Sequence, residues 1–278
     1  MPLDPHWLRP DWPGVTAFMT TLGPNFGRKA GDPAQARANR AGLVELLGAR
    51  PVFLDQVHGA KVVRLCADWH DDNAPQADAA VSTDPDLAVA ILVADCLPVL
   101  FTAPGGVAGA HAGWRGLAAG VLEHTVAELC AAAACEPGDV KAWLGACIGP
   151  QAFEVGPEVV AAFGREPLAR DQPGFLYRPG DQPRWLADLP LLARERLMSV
   201  NVTQISGGRW CTLTDDSRFF SFRGESRGRP RGRMAACISL GREFSRTPPA
   251  LAARRAEDVE QQAQRQHTVE DERDQGAE

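Results

Sequence analysis

The sequence predicts a single α/β domain, a mixed-sheet α/β sandwich with helices on the outside. Three observations lead to this fold class. Several near-continuous apolar runs have the length of buried strands, segments with helical periodicity lie between them, and no break in composition divides the chain before about residue 245. We therefore expect one domain over 1–245 and a polar, disordered or partly helical tail over 246–278.

The first quarter of the chain alternates between strand and helix patterns. The alternating run VTAFMTTLG predicts a strand over 15–23. Good helix formers with helical periodicity follow over 33–49, where Asp32 is a suitable N-cap and Pro33 the first helical residue. Residues 51–65 indicate two strands joined by a tight turn at His58-Gly59.

The middle of the chain carries the strongest β pattern. The runs LAVAILVAD, PVLFTA and VAGAHA predict three strands that are covered on both faces. Apolar residues at i, i+3 and i+4 then predict one long helix over 115–134.

The remaining elements are shorter. VKAWLGACIG predicts another buried strand and PEVVAAFGRE a short helix, and 187–200 forms an amphipathic helix pattern. Residues 218–223 and 234–241 are expected to form a closing strand pair, linked by the basic loop 224–233.

Composition excludes several classes of function. The formal net charge of −6 argues against a general nucleic-acid binder, which would carry a basic surplus. No apolar run reaches the roughly 18 residues that span a bilayer, so no membrane partner is expected. The N-terminal residues lack the pattern of a signal peptide, and the seven cysteines are an odd, scattered set. We expect reduced thiols and a cytoplasmic location.

Three residues stand at the ends of apolar strand patterns. His58 occurs in DQVHGA, Cys96 in VADCLP and His111 in AGAHAGW, at separations of 38 and 15 residues. Such spacing is too long for a zinc finger, but it suits ligands delivered by three neighbouring strands. One thiolate and two imidazoles are a normal zinc set that leaves a position for water or substrate. The same set suits copper. Each residue also has an ordinary structural interpretation, such as a buried histidine bonded to a carbonyl.

Neighbouring residues add candidate roles. Asp95 abuts the cysteine and is expected to orient a ligand, to transfer a proton as a catalytic residue, or to cap a turn. Gln56 lies two residues before His58 and so points to the same side of an extended chain. Trp114 offers a flat apolar face for a base or for packing, and Arg115 an anion contact or a solvated side chain.

The chain resembles the YfiH-type family, also called the laccase-domain or polyphenol-oxidase family. The resemblance rests on blocks in chain order from about residue 15 to 243. They are GDPAQARANRAGL, QVHGAKVV, ADAAVSTDPDLAVAILVADCLPVLF, GVAGAHAGWRGLAAGVLEHTVAEL, WLGACIGPQAFEVGPEV, RFFSFR and GRMAACISL. One departure is Phe222, where the family usually has tyrosine.

The resemblance implies a metal site and an activity. It implies zinc held by His58, Cys96 and His111. It also implies phosphorolysis of purine nucleosides (adenosine, inosine, guanosine or methylthioadenosine) to free base and ribose 1-phosphate, with adenosine deamination in some relatives. Arg40, Arg115 and Arg223 lie in matching motifs and are candidate phosphate contacts, with Gln56 as a further substrate contact. Arg40 could equally face solvent and Arg223 form a salt bridge.

Two other enzyme classes stay open. A copper-dependent polyphenol oxidase would need several copper sites, and six histidines make a multicopper cluster hard to build. A Cys-His hydrolase that edits cell-wall precursors would use Cys96 as its nucleophile. The sequence predicts no oligomeric state.

Overall fold

A computed structural model describes residues 4–69 and 72–241 of the chain. The strands are β1 (Val15–Met19), β2 (Arg50–Phe53), β3 (Val62–Arg64), β4 (Ala79–Ser82), β5 (Leu87–Val93), β6 (Leu97–Ala103), β7 (Gly106–Ala112), β8 (Lys141–Leu144), β9 (Glu154–Val155), β10 (Phe175–Arg178), β11 (Arg184–Ala187), β12 (Gln204–Gly207) and β13 (Met234–Leu240). The helices are α1 (Pro33–Leu47), α2 (Trp114–Ala118), α3 (Val121–Ala133), α4 (Pro157–Ala162), α5 (Leu189–Ser199) and α6 (Phe222–Glu225).

Two main sheets contain both parallel and antiparallel neighbours. The first has the strand order β1-β13-β5-β2, and the second has the order β12-β8-β6-β7-β4-β3. A smaller three-stranded sheet has the order β10-β11-β9 and shares no strand pair with the other two. The predicted runs around residues 87–112 form β5, β6 and β7, and nearly every residue of these strands is buried. Burial on both faces explains their continuous apolar character.

The two main sheets pack face to face between two layers of helices. One apolar cluster joins side chains of β1, β5 and β13 to those of β4, β6, β7 and β8. A second cluster lies between the six-stranded sheet and α2 to α5, and a third between the four-stranded sheet and α1. The predicted mixed-sheet α/β sandwich with external helices is thus confirmed.

Helix α1 follows its predicted signals. The Asp32 side chain accepts a hydrogen bond from the Ala34 amide, and Pro33 occupies the first turn. Gly48 ends the helix in the left-handed region, at a φ of 62°.

The predicted hairpin over 51–65 is wrong. Strand β2 pairs in parallel with β5, whereas β3 pairs with β4 in the other sheet. Residues 54–61 therefore cross from one sheet to the other instead of turning back. His58 itself takes the positive φ of 64°, not the glycine that follows it.

Two further predictions need correction. The long helix over 115–134 is broken into α2 and α3 at Gly120, which adopts a φ of 88°. Residues 218–223 do not form a strand, because Ser221 caps the short helix α6 and β13 pairs with β1 and β5 instead.

The predicted tail over 246–278 lies outside the described residues. Within the described part of the chain, the helices are too short or too polar to cross a bilayer.

Candidate metal centre

The structure brings the three predicted metal ligands together. His58 lies on the crossing segment 54–61, Cys96 in the turn between β5 and β6, and His111 near the end of β7. Strands β6 and β7 are antiparallel neighbours in which Pro98 faces His111, so the cysteine turn closes over the histidine. One ligand atom from each residue lies within 4.8 Å of the other two.

The spacing of these atoms fits a tetrahedral ion. Cys96 Sγ is 3.8 Å from His58 Nε2, and the two imidazole rings meet edge to face with centroids 4.7 Å apart. A zinc ion with ordinary bond lengths to sulfur and nitrogen would hold such atoms about 3.5 Å apart. His111 is buried, Cys96 half-buried and His58 exposed, so the group opens to solvent on the His58 side. The residues present therefore fit a three-ligand metal ion with an open position.

A buried carboxylate that the sequence analysis missed organises this group. Asp78 is 0% exposed, and its Oδ1 accepts a hydrogen bond from His111 Nδ1 at 2.8 Å. This bond leaves His111 Nε2 as the nitrogen available to a metal. The same carboxylate accepts bonds from the backbone amides of His58 and Gly59, at 2.8 and 2.7 Å. Its signal in the sequence is a lone aspartate in the apolar run ADAAV.

The glycines and alanines around His111 leave room for the other ligands. A Cβ atom on Gly113 would lie 3.0 Å from His58 Cδ2 and 3.1 Å from Cys96 Sγ. A Cβ atom on Gly116 would lie 2.6 Å from the carbonyl oxygen of Gly59. Larger residues at these positions would displace the ligand segments.

The charges of the group make the cysteine a thiolate, whereas a metal ion would have to displace a proton from His111. Burial by itself would raise the pKa of the Cys96 thiol, but the imidazoles of His111 and His58 outweigh burial and lower this pKa to about 6. Burial also opposes the protonation of His111, yet the Cys96 sulfur and the Asp78 carboxylate raise its pKa to about 9. Cys96 is therefore a thiolate at neutral pH, which is the form that ligates metals.

Asp95 anchors a neighbouring loop. It is buried, has a φ of 87°, and accepts hydrogen bonds from Thr212 Oγ1, Ser221 Oγ and the Arg223 amide, at 2.5, 3.0 and 2.6 Å. Its carboxylate thereby ties the start of α6 to the residue before Cys96. The predicted role in proton transfer stays a prediction.

Two of the predicted substrate contacts, Gln56 and Arg40, form hydrogen bonds to the protein's own backbone. The Gln56 amide accepts a bond from the Leu92 amide and donates one to the Leu92 carbonyl, both at 2.8 Å, so it holds the crossing segment against β5. Arg40 is buried on the α1 side of the four-stranded sheet, where Nε donates to the Phe26 carbonyl and the guanidinium lies 4.0 Å from the Phe53 ring centroid. Neither residue lines the cavity described next.

A cavity of about 320 Å³ has walls formed partly by residues next to the metal-site segments, although none of the three ligands lines it. Two of its wall residues are direct neighbours of the site. Trp114 follows Gly113 in the chain, and Arg223 is bonded through its amide to Asp95. Arg115 is exposed, and its guanidinium lies 4.3 Å from the Trp114 ring centroid. The full wall comprises Trp114, Phe153, Glu154, Val155, Gly156, Glu158, Val159, Arg184 and Arg223.

Known proteins are similar to this chain over most of its length. Residues 17–241 match a family model described as multi-copper polyphenol oxidoreductase laccase. A purine nucleoside phosphorylase of Pseudomonas aeruginosa is 44% identical over 252 residues, which cover 84% of this chain and 98% of the relative. The purine nucleoside phosphorylase YfiH of Escherichia coli is 44% identical over 251 residues, with 85% and 97% covered.

Solved structures agree with the sequence relatives. A Neisseria meningitidis protein is similar with a TM-score of 0.73 at 36% identity, covering 84% of this chain and 99% of that one. YfiH of Bacillus licheniformis has a TM-score of 0.75 at 28% identity, with 86% and 97% covered. On the family match, the identities and the shared fold, the chain belongs to the YfiH-type laccase-domain family.

Proposed function

We propose that this chain is a zinc-dependent purine nucleoside phosphorylase. The observation that carries the proposal is the open group of His58, Cys96 and His111, near in the chain to Trp114, which lines a cavity with aromatic and charged walls. The names of the relatives that are 44% identical support the reaction class. The substrates would be adenosine, inosine, guanosine or methylthioadenosine together with phosphate.

Two aromatic side chains suit a purine. Trp114 and Phe153 are half-buried on the cavity wall, where part of each ring stays accessible to a ligand. Flat apolar faces favour stacking on a base, and polar groups at the rim then orient it. We assign these two rings to the base.

A cationic group suits the phosphate. The guanidinium of Arg223 lies over the Phe153 ring, 5.8 Å from its centroid, and has no hydrogen-bond or ion-pair partner within the described residues. A guanidinium fork matches phosphate oxygens. The Asp95 carboxylate holds the backbone of Arg223, so we assign Asp95 to positioning. To transfer a proton, Asp95 would have to release one of its three donors.

In the proposed reaction, a phosphate oxygen attacks C1′ of the ribose. The bond from C1′ to N9 breaks, the base leaves with the electron pair and takes up a proton, and ribose 1-phosphate forms. The chain's part is to hold phosphate and nucleoside in line, which removes an entropic cost of bringing them together. His58, Cys96 and His111 would hold the zinc. A bound zinc ion supplies Lewis acidity at its open position.

Deamination of adenosine is a second proposed reaction at the same site. It consumes adenosine and water and releases inosine and ammonia. A metal centre with an open position favours it, because activation of water is the chemistry that such centres supply in deaminases.

A Cys-His hydrolase is the alternative that the geometry favours most. The pKa of Cys96 is lowered to about 6, as a thiol nucleophile requires. His111 would be its base, and the Asp78 carboxylate would orient His111. This reaction would need no metal. A polyphenol oxidase is less favoured, because the residues 4–69 and 72–241 contain one group of three or more candidate ligands, whereas a multicopper enzyme needs several.

One experiment separates these functions. The purified chain and a Cys96→Ala variant are analysed for metal and assayed with inosine and phosphate. We expect about one zinc per chain in the wild type, a clear loss in the variant, and release of hypoxanthine by the zinc-bound wild type only. No base release from any purine nucleoside in the presence of zinc would overturn the proposal. Several copper equivalents would favour the oxidase, and a trapped acyl-Cys96 the hydrolase.

A further inference from the structure

Two arginines from different elements line the same cavity. Arg184 begins β11 of the small sheet, and Arg223 lies in α6 on the turn held by Asp95. Both side chains are half-buried. The sequence analysis singled out Arg223 but not Arg184, whose approach to the cavity depends on the packing of the small sheet.

Neither guanidinium is neutralised by the protein. Arg223 has no polar partner among the described residues, and Arg184 donates one hydrogen bond of 3.3 Å to the neutral amide of Gln182. Several other half-buried arginines do have carboxylate partners, whereas Arg50, Arg194 and Arg229 donate to backbone carbonyls instead. The ion pairs are Arg165 with Glu195 at 3.0 Å, Arg196 with Glu123 at 3.2 Å, and Arg233 with Glu225 at 2.8 Å.

The carboxylates of the cavity are not engaged by these arginines either. Glu154 and Glu158 are exposed on the same wall and form no ion pair with Arg184 or Arg223. The wall thus presents free acceptors as well as free cationic donors. A ligand that carries both hydroxyl donors and anionic oxygens would satisfy both kinds of group, and ribose with phosphate is such a ligand.

The pairing of β10 with β11 places a third arginine close to Arg184. Arg178 on β10 stands directly opposite Arg184 on β11. Like charges in this cross-strand position destabilise a hairpin. Arg178 and Arg184 both line a neighbouring depression of about 450 Å³, but only Arg184 also lines the cavity that Trp114 and Arg223 line.

We propose that Arg184 binds the phosphate substrate together with Arg223, and that the β10–β11 hairpin therefore carries part of the phosphate site. The inference rests on the proposed phosphorolysis and deepens it. Two guanidinium forks give four or more N–H donors to one phosphate, which matches its oxygens better than a single arginine does.

The test compares Arg184→Gln with Arg178→Gln in the zinc-bound protein. Arg178 provides a matched control, because it loses the same charge on the same hairpin but does not line the cavity. For Arg184→Gln, we expect the KM for phosphate to rise about tenfold or more while the KM for inosine changes less than about twofold. In the reverse reaction, the same variant should also have a raised KM for ribose 1-phosphate. Arg178→Gln changes each value less than about twofold.

A binding measurement complements the kinetics. Inorganic phosphate raises the midpoint of thermal unfolding of a protein that binds it. We expect this shift in the wild type and in Arg178→Gln, and a much smaller one in Arg184→Gln. If Arg184→Gln does not fold, Arg184→Lys retains the charge but loses the fork, and its KM for phosphate should rise severalfold.

The outcomes separate the inference from the proposed function. An active wild type with an unchanged KM for phosphate in the Arg184 variant overturns the inference and leaves the phosphorylase intact. Equal losses in the Arg184 and Arg178 variants also overturn it, since they indicate a general charge effect. A wild type that is inactive on all purine nucleosides overturns the function itself.

Discussion

Oδ1 of Asp78 lies 2.8 Å from Nδ1 of His111, and the carboxylate to which it belongs also accepts the backbone amides of His58 and Gly59. One buried side chain thus fixes the ring of one metal ligand and the backbone of another. Burial would raise the pKa of Asp78, but the hydrogen bonds from His111 and Gly59 outweigh it and lower this pKa, so the carboxylate is ionised. Asp78 is the residue that joins the two histidine segments.

Replacement of Asp78 by asparagine should weaken metal binding. The amide keeps the shape of the side chain but brings an N–H donor towards groups that are themselves donors. We expect zinc affinity to fall about 10- to 100-fold, the usual effect of losing such an orienting carboxylate. Competition with a chromophoric chelator measures it. Asp216→Asn, at an exposed position, is the control, and equal affinities in both variants would contradict the prediction.

Replacement of Gly113 by alanine should disturb the ligands directly. The added methyl group would lie about 3 Å from His58 and Cys96, which is tight enough that one of these ligands must move by a few tenths of an ångström. We expect loss of bound zinc and of phosphorolysis while the far-ultraviolet circular dichroism spectrum is kept. Gly42→Ala adds the same group in α1 with nothing within 4 Å, and should stabilise the fold by up to about 1 kcal/mol. A zinc-loaded, fully active Gly113→Ala protein would refute this account.

Alkylation of the metal-free protein should report the Cys96 thiolate. Because the pKa of Cys96 is lowered to about 6, its thiolate fraction is already high at pH 7 and falls as the pH drops through 6. We expect the rate with iodoacetamide to be nearly constant above pH 7 and to decrease below pH 6, with zinc protecting the residue. Peptide mass mapping separates Cys96 from the exposed Cys66. A midpoint near 9, where an ordinary thiol titrates, would disprove the thiolate assignment.

Replacement of Asp95 by asparagine distinguishes positioning from proton transfer. Its carboxylate accepts three hydrogen bonds, from Thr212, Ser221 and Arg223, and the amide cannot accept all of them. We expect a loss of about 1 to 3 kcal/mol in the free energy of unfolding and a raised KM for phosphate, because Arg223 is displaced. The shape of the pH-rate profile should stay that of the wild type. Loss of one limb of the profile would instead assign proton transfer to Asp95.

Local signals predicted much of the fold. The apolar runs that became β5, β6 and β7 are recognisable because both faces of these strands are covered, and Asp32 with Pro33 marks the start of α1. Local sequence patterns gave wrong predictions where contacts between distant segments determine the secondary structure. The run over 51–65 has the periodicity of a hairpin, but its two strands belong to different sheets. Residues 218–223 have a strand pattern, but Ser221 and Arg223 donate hydrogen bonds to Asp95 and the segment forms no strand.

The sequence by itself determined the class of fold, the family and the three candidate ligands, because residue type and order within apolar runs suffice for these. Only the tertiary structure decided that His58, Cys96 and His111 meet, that Asp78 holds two of them, and that Arg184 faces the cavity. These facts depend on which strands pair and how the sheets stack. Side chains many residues apart become neighbours through burial and strand register, and no local pattern records that.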